Sequence, residues 1–202
     1  MVNVNDIDES TLWQNFLEGD VACLEKIYLL YFDDLYAYGN KLFRDIAFTE
    51  DVIQDLFVKL INNRQNLSPT TSLKYYLFRA FKSLALDKLK VKKRFQYSEQ
   101  EENKAFSLEL NPENRLIEKE QYEAIKLKLS AAIEMLTPRQ REAIFLKYTE
   151  GFSYAEVTSM LALTPKATYK LMARAIQSLK DHIRMLLPFA LPAEFLFSKL
   201  FY

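Results

Sequence analysis

Residues 137–179 read TPRQREAIFLKYTEGFSYAEVTSMLALTPKATYKLMARAIQSL and contain three helix-start signals in succession. The first two are capping boxes, Thr-Pro-Arg-Gln at 137–140 and Ser-Tyr-Ala-Glu at 153–156. In each box a hydroxyl and a side chain three residues later satisfy the first free amides of a helix. Proline at the first helical position strengthens the first box, and Gly151 ends the helix that it opens. These signals predict two helices separated by a short break.

The third signal, Thr164-Pro165, begins a longer helix that can continue to Leu187, where Pro188 ends it. Only the turn at Ala162-Leu163 separates this helix from the second one. A short helix, a tight turn and a longer basic helix together predict a helix-turn-helix. This arrangement places its second helix in the major groove of DNA.

The third helix is predicted to bury one face and expose the other. Its inner positions recur at three- and four-residue steps, the spacing of a face turned toward a core: Thr168, Met172, Ala175 and Leu179. The opposite face offers candidate contacts to phosphates and base edges: Lys166, Tyr169, Lys170 and Arg174. The alternative is an ordinary solvated face, but the two capping boxes and the short turn favour DNA contact.

The composition of the whole chain favours helices. Only 3 Gly and 6 Pro accompany 50% hydrophobic residues in 202 residues, so tight turns are few and much apolar surface has to be buried. The formal net charge is 0, yet the charges are sorted along the chain. Residues 61–98 carry nine basic side chains and one acidic one, whereas residues 1–60 and 99–125 are mainly acidic. We therefore predict an all-α fold with a basic segment near its middle.

The basic segment is predicted to form a helix from Ser72 to Arg94. Apolar residues at helical spacing face the core: Leu73, Leu77, Ala80 and Leu84. Candidate DNA contacts lie on the outer face: Arg79, Lys82, Ser83, Lys90, Lys93 and Arg94. Asp87, the one acid in this segment, is expected to orient neighbouring cations.

Aromatic residues are interleaved with these charges at Tyr75, Tyr76, Phe78 and Phe81. Aromatic rings stack on unpaired bases while Lys and Arg follow the phosphate backbone, and the bases of a duplex are not available for stacking. The helix is therefore predicted to bind single-stranded or melting DNA. The alternative for some of these rings, Tyr76 above all, is a place in the core.

An acidic face precedes the basic helix. A helix is predicted to begin at Thr49, with acidic residues in its first turn and an apolar face turned inward. Its outer face shows Asp51, Gln54 and Asp55. Two carboxylates one turn apart could hold a metal ion, but no third ligand lies nearby, so a solvated or protein-binding face is favoured.

The sequence gives little support to enzymatic chemistry. Cys23 and His182 are the only residues of their types, so neither an internal disulfide nor a metal site built on them is expected. There is no triad-like pattern and no glycine-rich phosphate loop. The first ten residues lack the apolar run of a secretory signal, and prolines interrupt the apolar tail. We expect a cytoplasmic, non-enzymatic protein with no cofactor, no metal, no small-molecule substrate and no membrane insertion.

These patterns divide the chain into two small helical domains joined by an acidic linker. The first domain is predicted at residues 1–97 and the linker at 98–115, where charges and Asn111-Pro112 disfavour a helix. The helix-turn-helix domain follows at 116–187. An apolar C-terminal extension completes the chain at 188–202.

Two blocks of the sequence, in this order and separation, resemble the sigma-70 family, specifically its extracytoplasmic-function group. Three stretches look like region 2 of the family: LWQNFLEGDVACLEKIYLLYFDDLYAYGNKLF, TEDVIQDLFVKL and YYLFRAFKSLALDKLKVKKR. The block at 136–179 looks like region 4. The resemblance covers most of the chain. The two blocks together are a specific signal, whereas a helix-turn-helix alone occurs in many unrelated proteins.

The resemblance implies a factor that binds core RNA polymerase and directs promoter recognition, DNA melting and transcription initiation. The face with Asp51, Gln54 and Asp55 would bind the polymerase clamp helices. The outer face of the Ser72–Arg94 helix would engage the minus-10 element, and the helix from Pro165 would read the minus-35 element. An anti-sigma factor is a further implied partner, and the tail at 188–202 could pack on region 4 or cover a site for that factor.

The chain departs from the family pattern at several positions. Ser83 stands where the family usually has Asn, and Tyr76 stands where it usually has Trp. Leu171 and Ile176 stand where polar or basic residues are frequent, which leaves the recognition helix with fewer charges than its relatives. The resemblance therefore assigns more of the DNA contact to the Ser72–Arg94 helix.

Two other functions stay open on the sequence. A stand-alone helix-turn-helix regulator explains residues 137–187 but not the separate aromatic and basic helix. A helical adaptor that binds proteins through its apolar tail and acidic faces is the second alternative.

Overall fold

The computed structural model describes residues 8–95, residue 106 and residues 129–186, with the side chains of 92–95 and 183–186 left out. Within these ranges all regular secondary structure is helical. The prediction of an all-α fold is confirmed. The chain divides into two compact units between Glu102 and Asn103, a point within the predicted linker.

Within residues 8–95, the first unit has four α-helices, which we label α1 to α4. Aspartate side chains cap the first three at Asp8, Asp20 and Asp45, because a short carboxylate reaches the free amides of the first turn. A single 3-10 turn follows the third helix. The helices are α1 (Glu9–Glu18), α2 (Val21–Phe43), α3 (Ile46–Asn62) and α4 (Leu73–Phe95).

Helix α3 was predicted to begin at Thr49 but begins three residues earlier, at Ile46, where Asp45 caps it. The Asp45 carboxylate accepts a hydrogen bond from the Phe48 amide at 3.0 Å. Thr49 is fully buried, and its hydroxyl donates to the Asp45 carbonyl at 2.8 Å. It packs against Gly39 of α2, where an added Cβ would overlap Thr49 and come within 2.7 Å of Phe81. The missing side chain of Gly39 therefore lets three helices approach closely.

The core of the first unit is strongly aromatic. The rings of Phe78 and Phe81 are fully buried, with centroids 5.2 and 6.2 Å from that of Tyr38. Tyr76 packs on Trp13 of α1 at 5.3 Å. Burial raises the pKa of the Tyr76 phenol, since it disfavours the charged form. The prediction that Phe78 and Phe81 stack on DNA bases is therefore wrong, because their rings fill the core.

The second unit holds the helix-turn-helix. Both predicted capping boxes are present: Thr137 exchanges hydrogen bonds with Gln140, and Ser153 does so with Glu156. The helix that Thr137 caps passes into a π-helical turn at Phe145–Thr149. The helices are α5 (129–134 as described), α6 (Pro138–Ile144), α7 (Tyr154–Met160) and α8 (Pro165–Leu186).

One residue of the predicted linker belongs to the core of this second unit. Phe106 is buried, and its ring centroid lies 5.4 Å from that of Phe145. The rest of the predicted linker (98–115) and the apolar extension (188–202) lie outside the described residues.

The turn between α7 and α8 requires left-handed backbone at Ala162, whose φ is 49°. A β-branched side chain tolerates this conformation poorly, so Ala162→Val is expected to lower the free energy of unfolding by about 1–2 kcal/mol. Thermal unfolding followed by circular dichroism measures this change. The control, Ala162→Gly, removes the strain and should be at least as stable as the wild type; equal stability of the valine variant would contradict the argument.

Candidate nucleic-acid interface

Helix α8 exposes one charged face and buries the opposite one. The inner face of Thr168, Met172, Ala175 and Leu179 is buried, as its spacing predicts. The four predicted DNA-contact residues are exposed: Lys166, Tyr169, Lys170 and Arg174. Side chains on such a face can reach phosphates and base edges when the helix lies in a major groove.

Two threonine hydroxyl groups, of which that of Thr168 is fully buried, hold α8 against α7. The Thr158 and Thr168 Oγ1 atoms lie 2.9 Å apart. They also lie 2.7 Å from the Tyr154 carbonyl and 3.2 Å from the Thr164 carbonyl, respectively. Each hydroxyl has one proton to donate, so one threonine donates to the other, which in turn donates to its own carbonyl, in a two-bond chain. This chain joins the two helices of the motif and orients the exposed face of α8.

An aromatic stack lies beside this face. The rings of Tyr154 and Tyr169 are nearly parallel, with centroids 4.7 Å apart. The Lys147 ammonium lies 5.4 Å from the Tyr154 ring centroid and donates to the Phe152 carbonyl at 3.0 Å. Tyr154 thus lies beside the candidate DNA-contact residues, although it was not predicted from the sequence. No sequence signal marks it, since the stack depends on the angle between α7 and α8.

Helix α4 carries a second polar and basic face. Arg79, Ser83 and Lys90 are exposed, and Lys82 is half-buried. The Lys90 ammonium pairs with the Asp87 carboxylate at 3.3 Å, which agrees with the predicted orienting role of Asp87. The side chains of Lys93 and Arg94 lie outside the described residues.

An apolar side chain interrupts this second face. Leu86 is 41% exposed and follows Ser83 by three residues and precedes Lys90 by four, so all three share one stripe of the helix. Leu86 was not among the residues predicted for this face. With Phe78 and Phe81 buried, the exposed side chains of α4 include charges, the Ser83 hydroxyl and two apolar residues, Leu86 and the 53% exposed Val91.

The acidic face of α3 is present but is not simply solvated. Asp51 and Gln54 are exposed and Asp55 is partly so. The face continues along the helix with Val58 and Ile61, which are 54% and 49% exposed. Neither apolar residue was predicted for this face, although Val58 follows Gln54 by four residues and Ile61 follows Val58 by three, the spacing of one helix face.

Both carboxylates of this face bind the same lysine of α4. The Lys88 ammonium lies 2.6 Å from Asp51 Oδ2 and also pairs with Asp55. Burial lowers the pKa of Lys88, but the hydrogen bonds and charges of the two carboxylates outweigh it, so the net shift is upward. The ammonium therefore stays charged at neutral pH.

The described residues offer few other chemical features. Among them, no three His, Cys, Asp or Glu side chains are grouped closely enough to hold a metal ion. None of the helices in the described ranges is long and apolar enough to cross a bilayer. Cys23 is buried, its thiol donates to Asp20 at 3.3 Å, and burial raises its pKa, which disfavours the reactive thiolate.

Comparison with known proteins assigns the two units to two regions of one family. Residues 27–95, from α2 to the end of α4, match the family described as Sigma-70 region 2. Residues 126–179, which include α5 to most of α8, match the family described as Sigma-70, region 4. No curated protein matches the chain in sequence.

Solved structures with the same fold include two complexes. CnrH, solved with the cytosolic domain of CnrY, is 19% identical over 88% of this chain and 99% of its own, with a TM-score of 0.54. The sigma factor RpoE, solved with the anti-sigma factor NepR from Bartonella quintana, is 21% identical over 79% of this chain and 96% of its own, with a TM-score of 0.55. Since the two matched regions lie in the family's order and cover more than half of the sequence, the chain belongs to the sigma-70 family of transcription initiation factors.

Proposed function

We propose that this chain is a sigma factor of the extracytoplasmic-function group. It binds core RNA polymerase and directs promoter recognition, DNA melting and transcription initiation. The observation that carries this proposal is the presence of two separate polar and basic faces, one on α4 and one on α8, each on a compact unit with its own core. A promoter with two elements needs two such faces, whereas a single operator half-site needs one.

The α8 face reads the minus-35 element. Its cations contact phosphates, and its base contacts come from the exposed side chains of Lys166, Tyr169, Lys170 and Arg174. The stack of Tyr169 on Tyr154 restricts the tyrosine ring before DNA arrives. Restriction lowers the conformational entropy that binding costs, so Tyr169 is a pre-positioned contact.

The α4 face engages the minus-10 element and stabilises its opened strand. Arg79, Lys82, Ser83, Lys90, Lys93 and Arg94 supply phosphate and base contacts. The energy for melting comes from binding the displaced strand more tightly than the duplex, so no covalent step is needed.

The α3 face binds core polymerase through Asp51, Gln54 and Asp55. Val58 and Ile61 extend this face with exposed apolar area. Interfaces combine an apolar centre with charged groups that set orientation. The partner surface therefore carries cationic groups beside an apolar patch.

An anti-sigma factor is the proposed regulatory partner, and the cytoplasm, where polymerase acts, is the proposed location. Both CnrH and RpoE were solved with a second protein, which for RpoE is an anti-sigma factor. We propose no cofactor and no enzymatic activity for the chain.

Run-off transcription with purified core polymerase tests the function. Core polymerase plus the chain is expected to produce discrete transcripts from genomic promoter fragments, while either component alone produces none. A filter-binding assay on the same fragments distinguishes the alternatives. Tight duplex binding by the chain alone, at nanomolar levels on the order of those of classical regulators, would favour a stand-alone helix-turn-helix regulator. Absence of both transcripts and DNA binding would favour an adaptor.

A further inference from the structure

Leu86 is an exposed apolar residue in the middle of the charged outer face of α4, with 41% of its surface in contact with solvent. It follows Arg79 by seven residues and Ser83 by three, and it precedes Lys90 by four. The helical repeat places these four side chains within about 60° of one another around the helix, while the core residue Phe81 lies on the opposite side. Leu86 therefore shares its surface with candidate DNA contacts and not with the core.

The other large apolar and aromatic side chains of α4 are less accessible to a ligand on this face. All four aromatic residues in the N-terminal half of the helix are buried or half-buried. Among the described side chains of α4, only Leu86 and Val91 are large, apolar and exposed. Val91 follows Leu86 by five residues and so lies about 140° away around the helix. Leu86 is therefore the apolar group that the described part of α4 presents between its cations.

Opened DNA offers an apolar surface that a duplex does not. In a duplex each base is covered by its neighbours above and below, whereas the base pair at the edge of an opened segment has one bare face. Leucine is among the apolar side chains that proteins insert between base steps. Cations beside such a side chain hold the nucleic acid by its phosphates.

We propose that Leu86 is a wedge residue that packs on the bare face of the last base pair beside the opened minus-10 segment. Arg79 and Lys90 lie on either side of it along the helix and hold the phosphates of the flanking nucleotides. This inference rests on the proposed function, which assigns the outer face of α4 to the minus-10 element.

The contact favours melting because it exists only in the opened state. Leucine surface that is in contact with water in the free protein leaves water when a base covers it, and this stabilises the opened complex. The closed complex gains nothing, because the base faces of a duplex are already stacked on one another. A contact made in one state alone shifts the equilibrium between the two states. Leu86 therefore promotes opening without changing the affinity for duplex DNA.

Leu86→Ala tests the inference because it removes the wedge and keeps the helix, since alanine is the best helix former. At saturating holoenzyme, the variant is expected to open a promoter fragment about tenfold less, the scale of covering part of one leucine side chain. Permanganate reactivity of unpaired thymines measures this opening. The affinity for a premelted fragment, in which mismatches keep the same segment unpaired, should fall by a similar factor. The affinity for the duplex fragment should match that of the wild type, measured by filter binding at a temperature at which the wild-type complex stays closed.

Two further variants separate the wedge from a general effect of truncation. Leu86→Phe should open the promoter at least as well as the wild type, because a flat ring covers more of a base. Val91→Ala is the matched control, since it shortens an exposed apolar side chain of the same helix that lies away from Arg79 and Lys90. All three measurements on this control should stay within about twofold of the wild type, as for an ordinary surface substitution.

Opening by Leu86→Ala that equals that of the wild type would overturn this inference alone. An equal loss of affinity for closed duplex and premelted fragments would also overturn it, because the leucine would then act in general DNA binding or in the fold. Loss of opening by Leu86→Phe as large as that by Leu86→Ala would contradict the packing of an apolar side chain on a base. Wild-type holoenzyme that gives no transcript from any promoter fragment would instead end the proposed function and this inference with it.

Discussion

Replacing Lys90, Lys93 and Arg94 together with glutamine is expected to lower open-complex formation by a factor on the order of a hundred. All three belong to the C-terminal part of α4, where we propose that the separated strand is held. Each replacement removes a contact to a phosphate, and with it the release of counterions from the DNA that favours binding. The loss acts on the step in which the duplex becomes single-stranded. Permanganate reactivity of unpaired thymines, measured on a promoter with saturating holoenzyme, reports this step directly.

The matched control carries the same charge change on α8. Replacing Lys166, Lys170 and Arg174 with glutamine should weaken the first promoter complex but reduce opening, per bound complex, less than the α4 set does. The two sets differ in this way because a helix in the major groove contacts duplex that is never melted. Greater loss of opening by the α8 set would contradict the proposed division of roles.

Trp13→Ala is expected to cost the first unit about 3–5 kcal/mol of folding free energy, the range for removing a buried aromatic side chain. The indole is 1% exposed and packs on Phe16 and Tyr76, with ring centroids 5.4 and 5.3 Å away. Its Nε1 donates to the Ser68 carbonyl at 3.1 Å, so the ring also ties down the segment before α4. Urea unfolding followed by circular dichroism measures the change.

Trp13→Phe separates packing from hydrogen bonding. It keeps an aromatic ring beside Tyr76 but removes the indole donor, which contributes about 1 kcal/mol when its partner is left unsatisfied. The phenylalanine variant should therefore lie between the alanine variant and the wild type. If Trp13→Ala unfolded at the same urea concentration as the wild type, the ring would not be the support of α4 that its contacts indicate.

The helix-turn-helix could be predicted almost completely from the sequence. Both capping boxes and the start of α8 at Pro165 were correct, and the exposed and buried faces of α8 follow its apolar spacing. Caps and turns are local interactions, so residues within four positions of one another contain the necessary information. The left-handed conformation of Ala162 carries no such mark, because alanine at that position gives no signal of a positive φ.

The burial of the aromatic residues of α4 could not be predicted from the sequence. Phe78 and Phe81 alternate with Arg79 and Lys82, and this pattern indicated a DNA-binding surface. Helix α4 in fact packs against α1, α2 and α3, so its buried face is wider than one apolar stripe. The number of neighbours around a helix is a property of the whole fold, and spacing along one helix cannot reveal it.

Helix periodicity, charge segregation and capping predicted the two candidate DNA-binding helices and the acidic helix from the amino-acid sequence alone. Only the tertiary structure paired Lys88 with Asp51 and Asp55, which precede it by 37 and 33 positions. It also stacked Tyr154 on Tyr169 across a turn. Periodicity reports which way a side chain points, but its partner depends on how separate helices cross, and that is settled by the packing of the whole core.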